Sequence, residues 1–225
     1  MILLGNPPVA VELKRNARAR RMTLRVSRLD GRVTLSVPAR LRESEARAFA
    51  EEKAPWIRKQ LETQPEVQSP AHGGQILFEG QQYPVEAGSG RAARLQDGVF
   101  YVPGKEDIAA KKLAALFKLL ARDRLVTASD HYAKALGVTY SAIQLRDTRS
   151  RWGSCSMQGK LMYSWRLIMA PPEVLNYVAA HEVAHLREMN HSRDFWDLVA
   201  QIYPGYDAPR AWLRENGGQL HAWRF

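Results

Sequence analysis

Three of the chain's six histidines lie within the eleven residues HEVAHLREMNH, from His181 to His191. His181 and His185 are four positions apart, so on a helix their imidazoles lie one turn apart on the same face and can bind one metal ion. Glu182 lies beside them, and a glutamate in this position orients and deprotonates a water molecule next to such an ion. The spacing therefore predicts a metal-dependent hydrolytic site rather than a helix that carries imidazoles by coincidence.

The position of Glu182 on the predicted helix supports a metal site. At 3.6 residues per turn, Glu182 falls between Val178 and Leu175, in the middle of an apolar stripe that faces the core. A carboxylate is costly to bury there unless an opposite charge or hydrogen bonds compensate it. A divalent cation bound by His181 and His185 would supply that charge.

A third histidine completes the predicted ligand set. A catalytic zinc ion has three protein ligands and keeps one position open for water. His191 lies too far round a continuing helix to join His181 and His185, but Asn190 readily adopts the left-handed conformation that ends a helix. We expect the helix to end near Asn190 and the chain to turn there. The sequence thus predicts one Zn²⁺ ion, or another divalent metal, bound by His181, His185 and His191, with Glu182 as the catalytic general base.

Three segments of the chain resemble the YgjP-like metal-dependent hydrolases, which are related to the WLM and SprT proteins. The segments are RSRWGSCS, SWRLIMAPPEVLNYVAAHEVAHL and NHSRDFW. The resemblance is dense over residues 139–205 and extends more loosely to RRMTLRVSRLDGRVTLSVP and WIRKQL. It implies a zincin fold and metallopeptidase activity. It also implies that the family's histidine ligands are His181, His185 and His191 and that its catalytic glutamate is Glu182.

Other catalytic arrangements fit the sequence less well. Metzincins share the histidine spacing but have glycine where this chain has Glu188, and they need a methionine turn, whereas no methionine follows Met189. A glutamate as third ligand remains possible only if His191 points away from the site. Cys155 beside Ser154 resembles a nucleophile, but the histidines that would activate it are better explained as metal ligands.

Hydrolysis also needs a group that stabilises the charge on the attacked oxygen. The substrate-binding candidates on the predicted hairpin are Arg149, Arg151, Arg166 and Trp152, and Tyr203 and Tyr206 are alternatives after the site. Packing is the more frequent role for the tryptophans that flank the motifs, which are Trp152, Trp165 and Trp196. The edge of the hairpin over residues 147–168 is expected to accept an extended peptide by strand addition.

The order of the predicted elements indicates an α+β fold. We expect a zincin-like catalytic lobe over residues 105–225, with the active-site helix packed on a small sheet. An N-terminal β-rich basic lobe with one helix is predicted over residues 1–104. Within it, the alternation from Met22 to Val37 predicts a hairpin with its turn at LDGR, and a helix that Ser44 caps is expected to follow up to Leu61.

Local signals place the elements of the second half. Gly137 is expected to end a long helix, and a turn at Gln158-Gly159 is expected to join two strands. The Pro171-Pro172 pair predicts the start of the active-site helix, because proline suits a first helical turn. Ser192 is expected to cap the helix that follows it.

The charge of the chain is unevenly distributed. The net charge is +10, and residues 1–42 contain ten Lys and Arg but only two acidic residues. Such a field attracts phosphates, nucleic acids or acidic peptides, although a solvated basic face is the more frequent explanation. One cysteine excludes an internal disulfide. No apolar run is long enough to span a membrane and no secretory signal is recognisable, so we expect a cytoplasmic protein without a membrane partner.

Three functions fit these observations. The first is a zinc-dependent metallopeptidase. The second is a metal-dependent nucleotide pyrophosphohydrolase, in which the basic lobe would hold the phosphates of a nucleoside triphosphate. The third is a nucleic-acid-associated protease that the basic N-terminal hairpin recruits to DNA or RNA. The sequence does not indicate an oligomeric state.

Overall fold

The computed structural model describes residues 2–5, 7–27, 31–62 and 66–225, without the side chains of Leu3 and Asp107. The chain forms two compact units, Met1–Glu66 and Val67–Phe225. The predicted boundary lies later, at residue 104. The two boundaries differ because the strands after residue 66 share one apolar core with the long helix of the second unit, through residues such as Phe78, Phe100 and Phe117.

The N-terminal unit contains a four-stranded sheet in the order β1-β2-β4-β3. Its strands are β1 (Ile2–Leu4), β2 (Val9–Asn16), β3 (Thr23–Val26) and β4 (Val33–Pro38). The predicted hairpin is confirmed, because β3 and β4 pair antiparallel from Thr23 opposite Ser36 to Val26 opposite Val33. Its predicted LDGR turn lies partly outside the described residues. The alternating residues Val33, Leu35 and Val37 are buried in the core of this unit.

Two helices, rather than the single predicted one, complete the N-terminal unit. They are α1 (Glu43–Glu52) and α2 (Ala54–Glu62). The interruption at Lys53 precedes Pro55, which has no N–H to continue the hydrogen-bond pattern of α1. Helix α1 begins at Glu43, so Ser44 lies in its first turn and is not the capping residue.

The second unit begins with another four-stranded sheet, in the order β5-β6-β8-β7. Its strands are β5 (Gln75–Phe78), β6 (Gln81–Ala87), β7 (Arg94–Gln96) and β8 (Val99–Val102). The long helix α3 (Glu106–Leu136) follows and ends at Gly137, as predicted, in the left-handed conformation with φ of 64°. Within the described residues, no helix combines the length and the apolar composition needed to cross a membrane.

A three-stranded sheet and three helices surround the histidine motif. The strands are β9 (Ala142–Arg146), β10 (Gly153–Cys155) and β11 (Lys160–Ser164), in the order β10-β11-β9. Strands β10 and β11 pair antiparallel across the predicted turn, whereas β9 pairs parallel with β11. A 3₁₀ helix (Trp165–Met169) then leads to α4 (Pro172–Ala184), α5 (Arg193–Ile202) and α6 (Asp207–Ala222). The α+β class is confirmed.

Helix α4 begins at the proline pair, as predicted, but it ends at Ala184 instead of near Asn190. The hydrogen bond from the His185 N–H to the His181 carbonyl is already long, at 3.4 Å. The next amides, of Leu186 and Arg187, donate to carbonyls three residues earlier, which tightens the last turn. The chain therefore leaves the helix about six residues earlier than expected, and His185 is the C-cap residue directly after its last turn.

Candidate metal centre

The structure brings the three histidines together. The ligand atoms of His181, His185 and His191 lie within 4.8 Å of one another. The Nε2 atoms of His181 and His191 are 3.0 Å apart. Because His191 points at the pair on α4, the condition for a glutamate as third ligand is not met. A turn at Asn190 was expected to bring His191 to the other two histidines. The early end of the helix at Ala184 has this effect instead, because it turns the chain back toward α4.

A backbone carbonyl fixes the orientation of His185. Its Nδ1 lies 2.8 Å from the carbonyl oxygen of Glu188, which accepts a hydrogen bond from the ring. This tautomer leaves Nε2 unprotonated and free to coordinate a metal. Metal-binding histidines characteristically donate their second ring nitrogen to such an acceptor, because the bond holds the ring in place. The irregular turn after Ala184 thus supplies a positioning group that a continuous helix would not.

Glu182 is buried beside the histidines, with 4% of its surface exposed. One of its carboxylate oxygens, Oε2, has no hydrogen-bond partner. Strand β10 packs directly on this side chain, because a Cβ atom at Gly153 would collide with the Glu182 carboxyl group. Glycine at that position therefore lets the sheet approach α4 closely. The predicted packing of the active-site helix on a small sheet is thus observed at the catalytic candidate itself.

Aromatic rings from α5 pack around the imidazoles. Phe195 is fully buried, and its ring stacks on His185 with 4.4 Å between the ring centres. Trp196 stacks on His191 at 5.9 Å. Ser192 caps α5 as predicted by accepting a hydrogen bond from the Phe195 amide at 3.4 Å, which places both rings against the site.

Burial controls the protonation of these groups. Burial, together with the charges of His185, His191 and Arg210, lowers the pKa of His181 to about 3. Burial also raises the pKa of Glu182 to about 8 in the metal-free protein, although Arg151 opposes the shift, and the charge of a bound metal ion would lower this pKa and favour the carboxylate. The His181 ring is therefore neutral at pH 7, and the neutral ring is the form that binds a metal ion.

The donor set fits a divalent metal. Tetrahedral zinc with Zn–N bonds of about 2.1 Å holds its nitrogen ligands about 3.4 Å apart, within the spread of the three imidazoles. Imidazole ligands carry no negative charge. The charge of such an ion would therefore be balanced by Glu182, whose buried Oε2 atom has no hydrogen-bond partner. The three rings therefore offer the nitrogen donors that a divalent metal ion requires, and a buried carboxylate lies beside them.

A groove of about 660 Å³ opens beside His185. Its walls come from three segments: the end of α3, the turn between β10 and β11, and the residues after α4. The lining residues are Gly137, Val138, Thr139, Tyr140, Ser141, Ser156, Met157, Gln158, Gly159, His185, Leu186 and Met189. None of these residues carries a charged side chain at neutral pH, so the groove favours uncharged groups.

The predicted substrate-binding residues differ in their exposure and in their contacts. Arg151 is exposed and close enough to oppose the rise in the pKa of Glu182. Arg149 is exposed too, and its charge acts on Asp147 and His221. Of these two arginines, only Arg151 therefore acts by its charge on Glu182, the candidate base.

Trp152 and the other aromatic candidates pack within the protein. The Trp152 ring lies 4.8 Å from the ring of His221 and against the backbone of Gly217. It therefore packs on α6, which agrees with the packing role expected for the tryptophans. Tyr203 donates a hydrogen bond to the Glu173 carbonyl at 3.1 Å.

Arg166 is the one candidate whose geometry excludes contact with a substrate. Only 8% of its surface is exposed. Its Nε and Nη2 atoms donate to the carboxylate of Asp147 at 2.6 and 3.1 Å. Its Nη1 atom donates to the carbonyls of Leu220 and Trp223 at 2.8 and 2.9 Å. Arg166 therefore ties the end of α6 to the 3₁₀ helix, and the substrate-binding role predicted for it is corrected to a structural one.

Replacing Arg166 with methionine should lower the free energy of unfolding by about 2–4 kcal/mol. The variant leaves two buried carbonyl groups without their donor and removes a cation stacked on Trp165 and Phe225. Urea unfolding followed by circular dichroism measures the loss. The exposed Arg224→Met serves as control and should change the free energy by no more than about 0.5 kcal/mol. Equal stability of Arg166→Met and wild type would contradict the structural role.

The same ion pair should make stability depend on pH. Burial alone would raise the pKa of Asp147, but its hydrogen bonds to Arg166 and the Arg166 charge outweigh burial and hold this pKa below its usual value. The carboxylate therefore stabilises the fold above its ordinary pKa, and this contribution disappears as the pH falls from about 5 toward 2. His221 titrates nearby, since burial lowers its pKa to about 4.

The measurement compares wild type with Asp147→Asn. We expect the wild type to be the more stable at pH 7 and the difference to shrink as the pH falls through the acid range. The Asp147 charge also raises the pKa of His221, so the difference between the two proteins includes the interaction of this carboxylate with His221. A difference that stays constant, or grows, at low pH would show that the Asp147 charge does not stabilise the fold.

The cation of Arg210 and the thiol of Cys155 also lie near the site. The guanidinium of Arg210 lies 4.2 Å from the centre of the Trp196 ring, and its charge acts on His181. No motif in the segment APRAW indicated this. Cys155 adjoins Glu182, and burial raises the pKa of its thiol to about 11. A thiol that stays protonated at neutral pH is a poor nucleophile, which argues against the Cys155 alternative.

Comparison with known proteins identifies the family. The sequence matches the YgjP-like metallopeptidase domain over residues 20–216. Among solved structures, the chain is similar to the metallopeptidase zymogen of Pyrococcus abyssi abylysin, with 20% identity and a TM-score of 0.38. That alignment covers 41% of this chain and 95% of the abylysin chain. A search of curated proteins found no match. The chain belongs to the YgjP-like metallopeptidase family.

Proposed function

We propose that this protein is a zinc-dependent peptidase in which His181, His185 and His191 hold the ion and Glu182 is the general base. The observation that carries the proposal is the convergence of three imidazoles beside a buried carboxylate with an unpaired oxygen. When bound, the ion would act as a Lewis acid, which polarises the scissile carbonyl and makes water more acidic.

Glu182 is suited to the transfer of one proton. Its Oε2 atom has no protein partner and is therefore free to accept a hydrogen bond from the attacking water. Once protonated, the same carboxyl group is positioned to give the proton to the departing amine. Gly153 packs closely against the side chain and limits its movement, which reduces the reorganisation of the base during the reaction.

The substrate is proposed to be an extended polypeptide that lies along β10. Strand β10 is the last strand of its sheet, and no other described strand pairs with its outer edge. An added peptide strand would use the free backbone groups of that edge and would pass close to Glu182, because Gly153 contacts this residue. Arg151 precedes the strand and is proposed to bind carbonyl oxygens or acidic groups of the substrate.

The nucleotide alternative has less support. A triphosphate needs cations near the reacting phosphorus, and the groove beside His185 has no lysine or arginine in its lining. Arg151 is the only predicted cation that acts on Glu182. We therefore retain the peptide as the proposed substrate and use nucleotides as the comparison in the assay.

Removal and restoration of the metal test the proposal directly. We expect the protein to cleave unstructured peptides from a quenched fluorescent library, to lose this activity with 1,10-phenanthroline, and to regain it when Zn²⁺ is added. Metal analysis should give one ion per chain on protein purified without a metal-affinity column. Nucleoside triphosphates are assayed under the same conditions and should not be hydrolysed. Hydrolysis of nucleotides without cleavage of any peptide would reverse the choice of substrate.

A further inference from the structure

A second groove lies in the N-terminal unit and belongs entirely to that unit. It is open and has a volume of about 540 Å³. One wall is strand β3 with the residues just before it, and the other wall comes from helices α1 and α2. The lining residues are Arg21, Met22, Thr23, Leu24, Phe49, Lys53 and Trp56.

The first wall is a free strand edge. Strand β3 is the last strand in the order β1-β2-β4-β3, and no other described strand pairs with its outer side. The Ser27 amide donates to the Arg32 carbonyl at 2.9 Å, directly beyond the last pair of the ladder. Since hydrogen-bonded and non-hydrogen-bonded pairs alternate in an antiparallel ladder, the N–H and C=O groups of Leu24 and Val26 point away from β4. These groups can pair with an added strand.

The second wall is apolar and partly exposed. Phe49 of α1, Lys53 between the two helices and Trp56 of α2 line the groove together. Trp56 is 44% exposed, which is unusual for so large an apolar side chain. The Lys53 ammonium lies 5.8 Å from the centre of the Phe49 ring and places a positive charge at the rim.

The side chains of the edge alternate in character. Met22, Leu24 and Val26 pack against the apolar core of the unit. Arg21 and Arg25 are exposed and occupy the alternate positions, on the opposite face of the strand. A strand added beside β3 would therefore place every second side chain against apolar groups and the intervening side chains beside arginines.

We propose that this groove binds an extended polypeptide segment with alternating apolar and acidic residues, as a fifth strand of the sheet. The apolar residues would lie against Met22, Leu24 and Trp56, and the acidic residues would pair with Arg21 and Arg25. A single-stranded nucleic acid also meets positive charge and an aromatic ring here, but it has no backbone amides to satisfy the free edge. The polypeptide therefore uses the free strand edge, the apolar wall and the positive charge of the groove together. The proposal does not depend on peptidase activity.

Fluorescence anisotropy on the full-length protein tests the proposal. The probe is a labelled, end-blocked peptide of sequence Glu-Val-Glu-Phe-Glu-Val-Glu, compared with the same peptide carrying Lys for Glu and with a labelled oligothymidine. We expect the acidic peptide to bind more tightly than both. Trp56→Ala should weaken binding of the acidic peptide by about tenfold or more. Hydrogen exchange of the Leu24 and Val26 amides should slow when the peptide is bound, which a merely electrostatic contact would not cause.

Matched variants separate the groove from the overall charge. Arg21→Gln combined with Arg25→Gln should weaken binding, whereas Arg40→Gln combined with Arg47→Gln removes the same charge outside the groove and should have little effect. Equal loss in both double variants would overturn the proposal in favour of a diffuse positive field. Tighter binding of oligothymidine than of the acidic peptide, or absence of binding by the acidic peptide, would overturn it as well.

Discussion

Replacing Glu182 with glutamine should lower kcat for peptide cleavage by about 10²–10⁴-fold and leave the metal content unchanged. Glutamine has nearly the same shape, so it still fits against Gly153, but its amide cannot accept a proton from water. The three histidines are untouched, and one metal ion per chain should still be found by metal analysis. Steady-state kinetics with a peptide identified in the library screen measures the effect.

The control for this variant is Glu173→Gln. Glu173 lies in the first turn of the same helix and is exposed, so the chemical change is identical but occurs away from the site. Its kcat should stay within about twofold of the wild type. If Glu182→Gln retained full activity with metal bound, Glu182 would have no part in the proton transfer. Loss of the metal instead would make Glu182 a ligand or a structural partner of the site.

The burial of Glu182 is the part of the site that the sequence predicts best. The helical period alone places this residue in an apolar stripe, and the structure buries it to 4% exposure. Local rules also identify the start of α4 at the proline pair and the cap of α5 at Ser192. Each of these features depends on residues close together in the chain, which is why a single sequence is sufficient.

The end of α4 is a feature that the sequence does not predict. Asn190 does not adopt the left-handed conformation expected of it, since the described non-glycine residues with positive φ are Glu79 and Asp97, and the helix already ends at Ala184, where three competing hydrogen bonds act. The Leu186 and Arg187 amides donate three residues back, and the His185 ring donates to the Glu188 carbonyl. A side chain that bonds the backbone of its own turn competes with the helix, and its preferred rotamer depends on the surrounding rings.

Contacts between distant segments are likewise not predictable from one sequence. Gly153 contacts Glu182 and Phe195 stacks on His185, although in each pair the two residues come from different elements. A glycine inside the strand signal RWGSCS could have indicated a close approach, but not which residue approaches. For Arg166, position on a predicted hairpin suggested contact with the substrate, whereas its hydrogen bonds reach carbonyls 54 and 57 residues later in the chain.

Replacing His191 with alanine should lower zinc affinity by at least about 100-fold, more than the loss of a hydrogen-bond partner of a ligand usually costs. His191 is the exposed member of the triad and joins it only through the turn after α4. The fold should therefore survive its removal, and the apo variant should unfold at the same urea concentration as the apo wild type. Competition with a chromophoric chelator measures the affinity. Peptide cleavage should be lost at low zinc concentration.

The control is His131→Ala, since His131 is also an exposed histidine but its ring packs on Tyr132, away from the triad. This variant should bind zinc as the wild type does. Unchanged affinity in His191→Ala would mean that two imidazoles and another group hold the ion, which would remove the three-histidine site from the mechanism. A loss of zinc accompanied by unfolding of the apo variant would instead assign His191 to the packing of Trp196. The two outcomes test different contacts of His191. The 3.0 Å approach of its ring to His181 serves metal binding, whereas the stack on the Trp196 ring serves packing of the fold.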